Sequence, residues 1–421
     1  MKYYNNYNIL MVVIIFLFIS TISVYGMDSE EFIEVVKNGE LSEIKSAIEN
    51  GADVNFVDEE NNYTILSYAI RYNKDIEVIN TLIQAGAKVK IDGILPIAPI
   101  NTAAKYWGNP SIIKLLVRHG ADVNNFGTGE NHLILRPLND SISSNNITMV
   151  KTLLELGSDP NSGVFFSSLE LAIKNNNLDL VKLLIDYGAD LNYKDTQDQT
   201  PLMYAVRSND LEILRLLLDS GANLSSLGKN NENVLMYALN DKSNLEMIKY
   251  LLEQGADINH KNKNGVSPLL KAINMKSEMK IIDYLITSGA KIKAVDKNNN
   301  NALMYAVKSN YSLDFIEYLI NNGVEINNTN NDGMNTLTYA MEYKNSESII
   351  KRLLEYTKSI HLRDQEGKTV LMYALANGYN VPIIRTLIKN GANVNTYDKN
   401  GVTPLFYCFE GDCDVDVFKL L

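Results

Sequence analysis

The chain has 421 residues, 46% of them hydrophobic and 21% charged, a composition that suits a folded protein and excludes a wholly disordered chain or a polytopic membrane protein. Its 39 lysines and arginines stand against 50 aspartates and glutamates, a net charge of −11, which opposes the counterion release that drives nucleic-acid binding, so DNA and RNA are not expected partners. Two cysteines near the end of the chain make neither a disulfide scaffold nor a four-cysteine zinc site.

At the N-terminus Lys2 precedes an unbroken apolar run from Ile9 to Ile19, and no acid occurs before Asp28. The run is shorter than the roughly 20 residues a membrane span needs, and Val24 and Gly26 form the small-x-small pattern of a signal peptidase site. The expected domain division is therefore a signal peptide over 1–26 and a folded array over 27–421. Cleavage after Gly26 would export the chain to a periplasmic or secreted location and leave it free of the membrane. An uncleaved anchor, with Ile22 and Val24 lengthening the run, is the alternative.

The rest of the chain repeats. Gly-Ala-Asp-Val-Asn occurs at Gly51 to Asn55 and at Gly120 to Asn124, with variants starting at Gly86, Gly157, Gly188, Gly221, Gly255, Gly289, Gly323 and Gly391. The later steps are 34 residues, and Thr357 fills a skipped slot. Twelve residues after most of these glycines comes a helix start such as Thr200-Pro201-Leu202-Met203-Tyr204-Ala205 or Thr403-Pro404-Leu405, with proline where a helix needs no N–H. Leu211, Leu214, Leu217 and Leu218 then lie on one helical stripe, widened by Ile213 and Leu216. Each unit reads as a short helix, a tight turn, a longer helix, a left-handed glycine, and a finger turning at sequences such as Asp398-Lys399-Asn400-Gly401.

These residues resemble the ankyrin repeat, whose signature is a period near 33 with Thr-Pro-Leu-His-x-Ala. The resemblance covers about 28–421 and implies an all-α solenoid of about twelve helix pairs with β-hairpin fingers, the first pair near 30–49 and the last, incomplete, at 403–421. It further implies that fingers and first helices line a concave face that binds other proteins. The sequence departs from the signature at its histidine, replaced by Met203, Met236, Leu270, Met304, Thr338, Met372 and Phe406. The next position is mostly tyrosine, at Tyr68, Tyr204, Tyr237, Tyr305, Tyr339, Tyr373 and Tyr407, read as a packing ladder whose hydroxyls reach water or backbone, or as an aromatic rail. Between Gly120 and Gly188 the steps become 37 and 31, and the altered fingers carry Glu130, His132, Phe165 and Phe166.

Catalytic chemistry finds few candidates. His119, His132, His260 and His361 never come within a helical turn of one another, and no metalloprotease, phosphate-loop or serine-elbow motif occurs. No cofactor or metal is expected. Cys408 takes a slot that is alanine elsewhere and reads as a small buried thiol or as a disulfide with Cys413. The last helix ends on Leu420 and Leu421 with Phe406, Phe409 and Phe418 nearby, an apolar end expected to dock or self-associate. The functional expectation is a non-enzymatic scaffold, exported from the cytoplasm, that binds a partner protein through Lys194, Gln197, Arg207, Lys261, Lys263, Asn264, Asn298, Asn299, Lys308, Asn330, Asp332, Glu342, Lys399 and Asn400. A secreted effector acting on another organism's proteins, and an enzyme with its site in 125–166, are the alternatives.

Overall fold

The computed structural model describes residues 27–72, 75–91, 96–106, 109–125, 127–128, 134–161, 167–411 and 413–421. The expected leader and the finger residues Glu130, His132, Phe165 and Phe166 lie outside them. The chain forms two compact units, one ending at Asp195 and one beginning at Thr196.

The first unit holds five helix pairs: α1 and α2 (Ser29–Asn38, Leu41–Glu49), α3 and α4 (Ile65–Tyr72, Ile76–Gln84), α5 and α6 (Pro99–Tyr106, Pro110–Arg118), α7 and α8 (Pro137–Ser143, Ile147–Glu155), and α9 and α10 (Ser168–Lys174, Leu178–Asp186). Seven pairs make the second: α11 and α12 (Pro201–Ser208, Leu211–Asp219), α13 and α14 (Val234–Ala238, Leu245–Glu253), α15 and α16 (Pro268–Asn274, Met279–Thr287), and α17 and α18 (Ala302–Lys308, Leu313–Asn321). It continues with α19 and α20 (Thr336–Glu342, Glu347–Tyr356), α21 and α22 (Val370–Ala376, Val381–Lys389), and α23 and α24 (Pro404–Glu410, Val415–Phe418). The twelve expected pairs are present, and within each unit first helices pack on first helices.

The sequence pattern explains each pair. Pro201 starts α11 while the Thr200 hydroxyl accepts from the Met203 amide, and Ser267, Asn233, Asn301, Asn335 and Thr369 cap their helices in the same way. Leu202, Met203, Ala205 and Val206 of α11 are wholly buried. On α12 Ile213, Leu214 and Leu217 form the buried stripe, with Leu211, Leu216 and Leu218 half-buried at its edges. The repeat glycines have φ between +82° and +100°, the left-handed conformation a C-cap requires. Thr357, in the skipped slot, stays extended, and its hydroxyl satisfies the Leu353 carbonyl. Cys408 is fully buried in the alanine slot and is bonded to Cys413.

Gly-Ala-Asp-Val-Asn does more than end a helix. Its alanine is buried in most repeats, and its aspartate accepts from the asparagine amide, as Asp53 does from Asn55 and Asp257 from Asn259. The asparagine side chain then clamps the next repeat. Asn259 Nδ2 donates to Gly289 O (3.1 Å) while its Oδ1 accepts from Lys291 N (2.8 Å). Asn55 makes the same pair of bonds to Gly86 and Lys88, Asn124 to Gly157 and Asp159, Asn161 to Gly188 and Asp190, and Asn327 to Tyr356 and Lys358.

The fingers correct the expectation of hairpins throughout. Paired strands occur among the described residues only at β1 and β2 (Val57–Asp58, Tyr63–Thr64) and β3 and β4 (Gly127–Thr128, Ile134–Leu135), with single antiparallel bridges at Thr329 to Asn335 and Arg363 to Thr369 and a parallel one between fingers at Tyr63 to Ile97. Elsewhere a side chain closes the turn, because an aspartate or asparagine oxygen takes the amides that a strand ladder would otherwise engage.

The clamp gives a direct test. Asn259→Ala removes two hydrogen bonds across one interface and is expected to cost about 1–3 kcal/mol. Hydrogen exchange should rise at Lys291 and its neighbours while the amides of α21 and α22 stay protected, since repeats touch only adjacent repeats.

Candidate protein-binding face

The finger bases of the second unit fall at Asn262, Asp296, Asn330, Asp364 and Asp398, 34 residues apart. Each donates its amide to the carbonyl four residues on, namely that of Val266, Asn300, Met334, Lys368 and Val402. The side chain closes the same turn from within: Asp398 Oδ1 accepts from the amides of Asn400 (2.8 Å) and Val402 (2.9 Å), and Asn262, Asp296 and Asn330 repeat the arrangement.

Adjacent fingers are tied tip to tip. The Lys263 amide donates to Asn230 O, Lys297 to Asn264 O, Asn331 to Asn298 O, Gln365 to Asp332 O and Lys399 to Glu366 O, at 2.7 to 2.9 Å. This ladder uses only main chain, so the tip side chains remain exposed. They form two rows, Lys263, Lys297, Asn331, Gln365 and Lys399 beside Asn264, Asn298, Asp332, Glu366 and Asn400.

Tyrosine supports the fingers from behind. Tyr373 Oη donates to Asp364 Oδ2 at 2.6 Å, Tyr407 to Asp398 at 2.7 Å and Tyr305 to Asp296 at 2.9 Å, each spanning nine residues. Tyr68 makes the corresponding bond to Asp58 in the first unit. Asn330 instead donates to Tyr339 Oη, which itself donates to Asn300 Oδ1. Where glycine replaces the acid, at Gly228, a Cβ would collide with the Tyr237 hydroxyl. Where lysine replaces tyrosine, at Lys271, the ammonium turns to Glu232 at 2.6 Å. Burial, reinforced by the neighbouring carboxylates, pushes the hydroxyls of Tyr305, Tyr373 and Tyr407 well above their ordinary range. Burial opposes ionisation of Asp398, but the bonds from Tyr407, Val402 and Asn400 prevail and hold its carboxyl low. The hydroxyls thus serve the finger bases, and the expectation of water or backbone partners is corrected for these tyrosines.

Among the fourteen expected contact residues, Lys263, Asn264, Asn298, Asp332, Lys399 and Asn400 lie in the tip rows and are exposed. Lys261 is exposed and reaches Val295 O at 2.9 Å. Arg207, Lys308 and Glu342 project from the ends of α11, α17 and α19; Arg207 holds Gln199 at 2.7 Å, and Lys308 lies 5.9 Å over the Tyr343 ring. Lys194, in the first unit, and Gln197, in the second, are exposed. Asn330 is buried, 5% exposed, and is a finger base, so its assignment as a contact residue is corrected. Asn299 is half-buried, with φ +63° and its amide on Thr329 O, and acts in the turn. Lys297, Asn331, Gln365 and Glu366 were missed, although the 34-residue register of Lys263 and Asn264 identifies them.

A cleft of about 390 Å3 opens beside this face, with Arg207, Glu232, Tyr237, Asp241 and Lys271 on its walls. It exists because α13 stops after five residues: Leu239 leaves helical geometry, and Asn240 with Ser243 forms a closed loop. At the end of the chain Phe406 and Phe409 are 61% and 65% exposed, whereas Met372 in the equivalent slot is fully buried. The self-association expected from sequence would fall on this face.

Such a stack, with ordered tips and an exposed polar side-chain row, is a scaffold for recognising protein surfaces. The family model for ankyrin repeats in three copies matches residues 169–262, 235–330, 269–364 and 337–421, and the single ankyrin repeat model matches 98–126. The chain belongs to the ankyrin repeat family, whose repeats mediate protein–protein binding and are generally non-enzymatic. No curated protein matches it.

In the first unit the tyrosine slot holds Thr102, Asp140 and Leu171 after Tyr68. Asp140 is buried, and burial pushes its carboxyl up to about 7 against the opposing pull of Lys105 and a hydrogen bond with Asn101.

Two outcomes follow from these side chains. Tyr373→Phe removes a hydrogen bond to a carboxylate and is expected to cost about 1.5–3 kcal/mol, with faster exchange of the Lys368 amide as the local readout. For Asp140 the folded value lies above the unfolded one, so its contribution is complete below about pH 4 and is lost as pH rises through about 7. Asp140→Asn should therefore leave thermal unfolding unchanged near about pH 4 and raise it near about pH 8, by a few kcal/mol at most.

Proposed function

We propose that the chain is an exported, non-enzymatic scaffold that holds a partner protein against the fingertip rows and first-helix ends of its second unit. The tip ladder carries this reading: it fixes the backbone of successive fingers while leaving their side chains exposed, so recognition proceeds with little further ordering. Lys263, Lys297 and Lys399 share one row, with Asp332 and Glu366 beside them, so the partner offers a polar surface of mixed charge rich in acceptors. The cleft under Arg207 and Lys271 takes a protruding side chain of that partner.

The combined Lys263→Glu, Lys297→Glu and Lys399→Glu variant should lose a partner captured by crosslinking, whereas Lys280→Glu on α16 should retain it. Equal capture by both variants sinks the assignment. Export rests on the apolar run before Gly26, and the expected mature chain begins at Met27. An intact mass that retains residues 1–26 on protein recovered from the envelope or medium would favour the anchored form. Recovery from the medium would favour the effector reading.

A further inference from the structure

The first unit has a groove of its own, about 660 Å3, between α1 and the first finger. Ile33, Phe56 and Tyr68 give it an apolar floor, and its rim carries Glu30, Glu34, Asp58, Glu59 and Glu60 against one cation, Lys37. The finger side is fixed in place, because Asp58 accepts from the amides of Glu60 and Asn61, from the Asn61 side chain and from the Tyr68 hydroxyl.

Lys37 shows what this surface accepts. Its ammonium lies 4.8 Å over the Tyr68 ring and 2.8 Å from Glu34, a cation on an aromatic face beside a carboxylate. The side chains of Glu30, Glu59 and Glu60 have no protein partner among the described residues. Three unneutralised carboxylates around a partly apolar groove repel one another and any anionic occupant, and a cationic occupant with apolar bulk relieves both effects. We infer that this groove binds a basic amphipathic segment of a partner protein, with arginine or lysine side chains on the three free glutamates and an aliphatic or aromatic side chain on the floor. The inference shares the scaffold reading but does not depend on the fingertip rows of the second unit.

The test uses the full chain and a fluorescent peptide of alternating arginine and leucine, with a peptide of alternating glutamate and leucine as its counterpart. The arginine peptide should bind and the glutamate peptide should not. Glu30→Gln, Glu59→Gln and Glu60→Gln together should weaken the arginine peptide about tenfold, as three solvent-exposed ion pairs would. All three residues are exposed, so the variant keeps the fold. Charge reversal at Lys263, Lys297 and Lys399 should leave this binding intact even where it abolishes capture of the other partner, which separates failure of one reading from failure of the other. Undiminished binding by the glutamine variant, equal binding of both peptides, or no binding of the arginine peptide overturns the inference.

Discussion

The stacking of one repeat on the next depends on a side-chain amide with two opposed ends. Apolar burial drives the helices together but has little direction, and a layer of leucine, methionine and alanine tolerates small slides and rotations. The asparagine that closes Gly-Ala-Asp-Val-Asn removes that freedom. Its Nδ2 needs a carbonyl and its Oδ1 an amide, and in the next repeat these stand two residues apart on one turn, at Gly289 and Lys291 for Asn259. Only one register satisfies both. The other residues of the motif hold that amide in place: the left-handed glycine turns the chain, and the aspartate pins the asparagine backbone. Lys90, Ser225, Lys293 and His361 occupy the asparagine place in four repeats, where register must come from the helices and fingers.

What was legible in the sequence is what a single repeat decides locally. Helix starts, the buried stripe and the glycine caps follow from residues a few positions apart, and the period gave all twelve pairs. The fingers were less legible because their bonds join residues distant in sequence. An aspartate or asparagine nine residues before most second-unit tyrosines is visible in the chain, but the Tyr373 hydroxyl finds Asp364 only because the finger folds back over the start of its own following helix. Without that geometry a tyrosine ladder looks like packing, and Asn330, one of many turn asparagines, looks like a surface residue.

The missing signature histidine has two different replacements. In the first unit its slot holds Ser67, Asn101, Asn139 and Glu170; the first three bond across the stack, Ser67 to Ile97 O, Asn101 to Asn125, and Asn139 to Ser168, while Glu170 accepts from the Ser167 amide of its own helix cap. In the second unit the slot is mostly methionine, and the link moves to the helix cap, where Asn233 and Asn301 cap their own helices and donate to Asp257 O and Glu325 O. The first solution brings an ionisable group inside. Burial pushes Glu170 up to about 7, against its bond from Ser167, with Asp195 adding to the rise and Lys174 opposing it. Buried methionine brings no charge, so proton-linked stability from this slot belongs to the first unit.

The fingers of the second unit separate structure from recognition. Each is fixed by an acid or amide at its base, in most repeats by a tyrosine behind it, and by the main chain of its neighbour, and among the tip side chains the amides of Asn331 and Gln365 add to this, donating to the carbonyls of Lys297 and Asn331. Substitutions at Lys263, Lys297 or Lys399 therefore change the charge of the surface and leave the finger bonds in place, whereas substitutions at Asn331 or Gln365 remove a bond between fingers and those at Asp364 or Tyr373 disturb the finger itself. The succession Lys263, Lys297, Asn331, Gln365, Lys399 sets two cations one repeat apart, then two amides, then a third cation. In the proposed reading, backbone bonds hold the tips before any partner arrives, so selectivity would fall to that spacing: a partner whose acidic groups follow another spacing would leave a lysine unpaired at the interface.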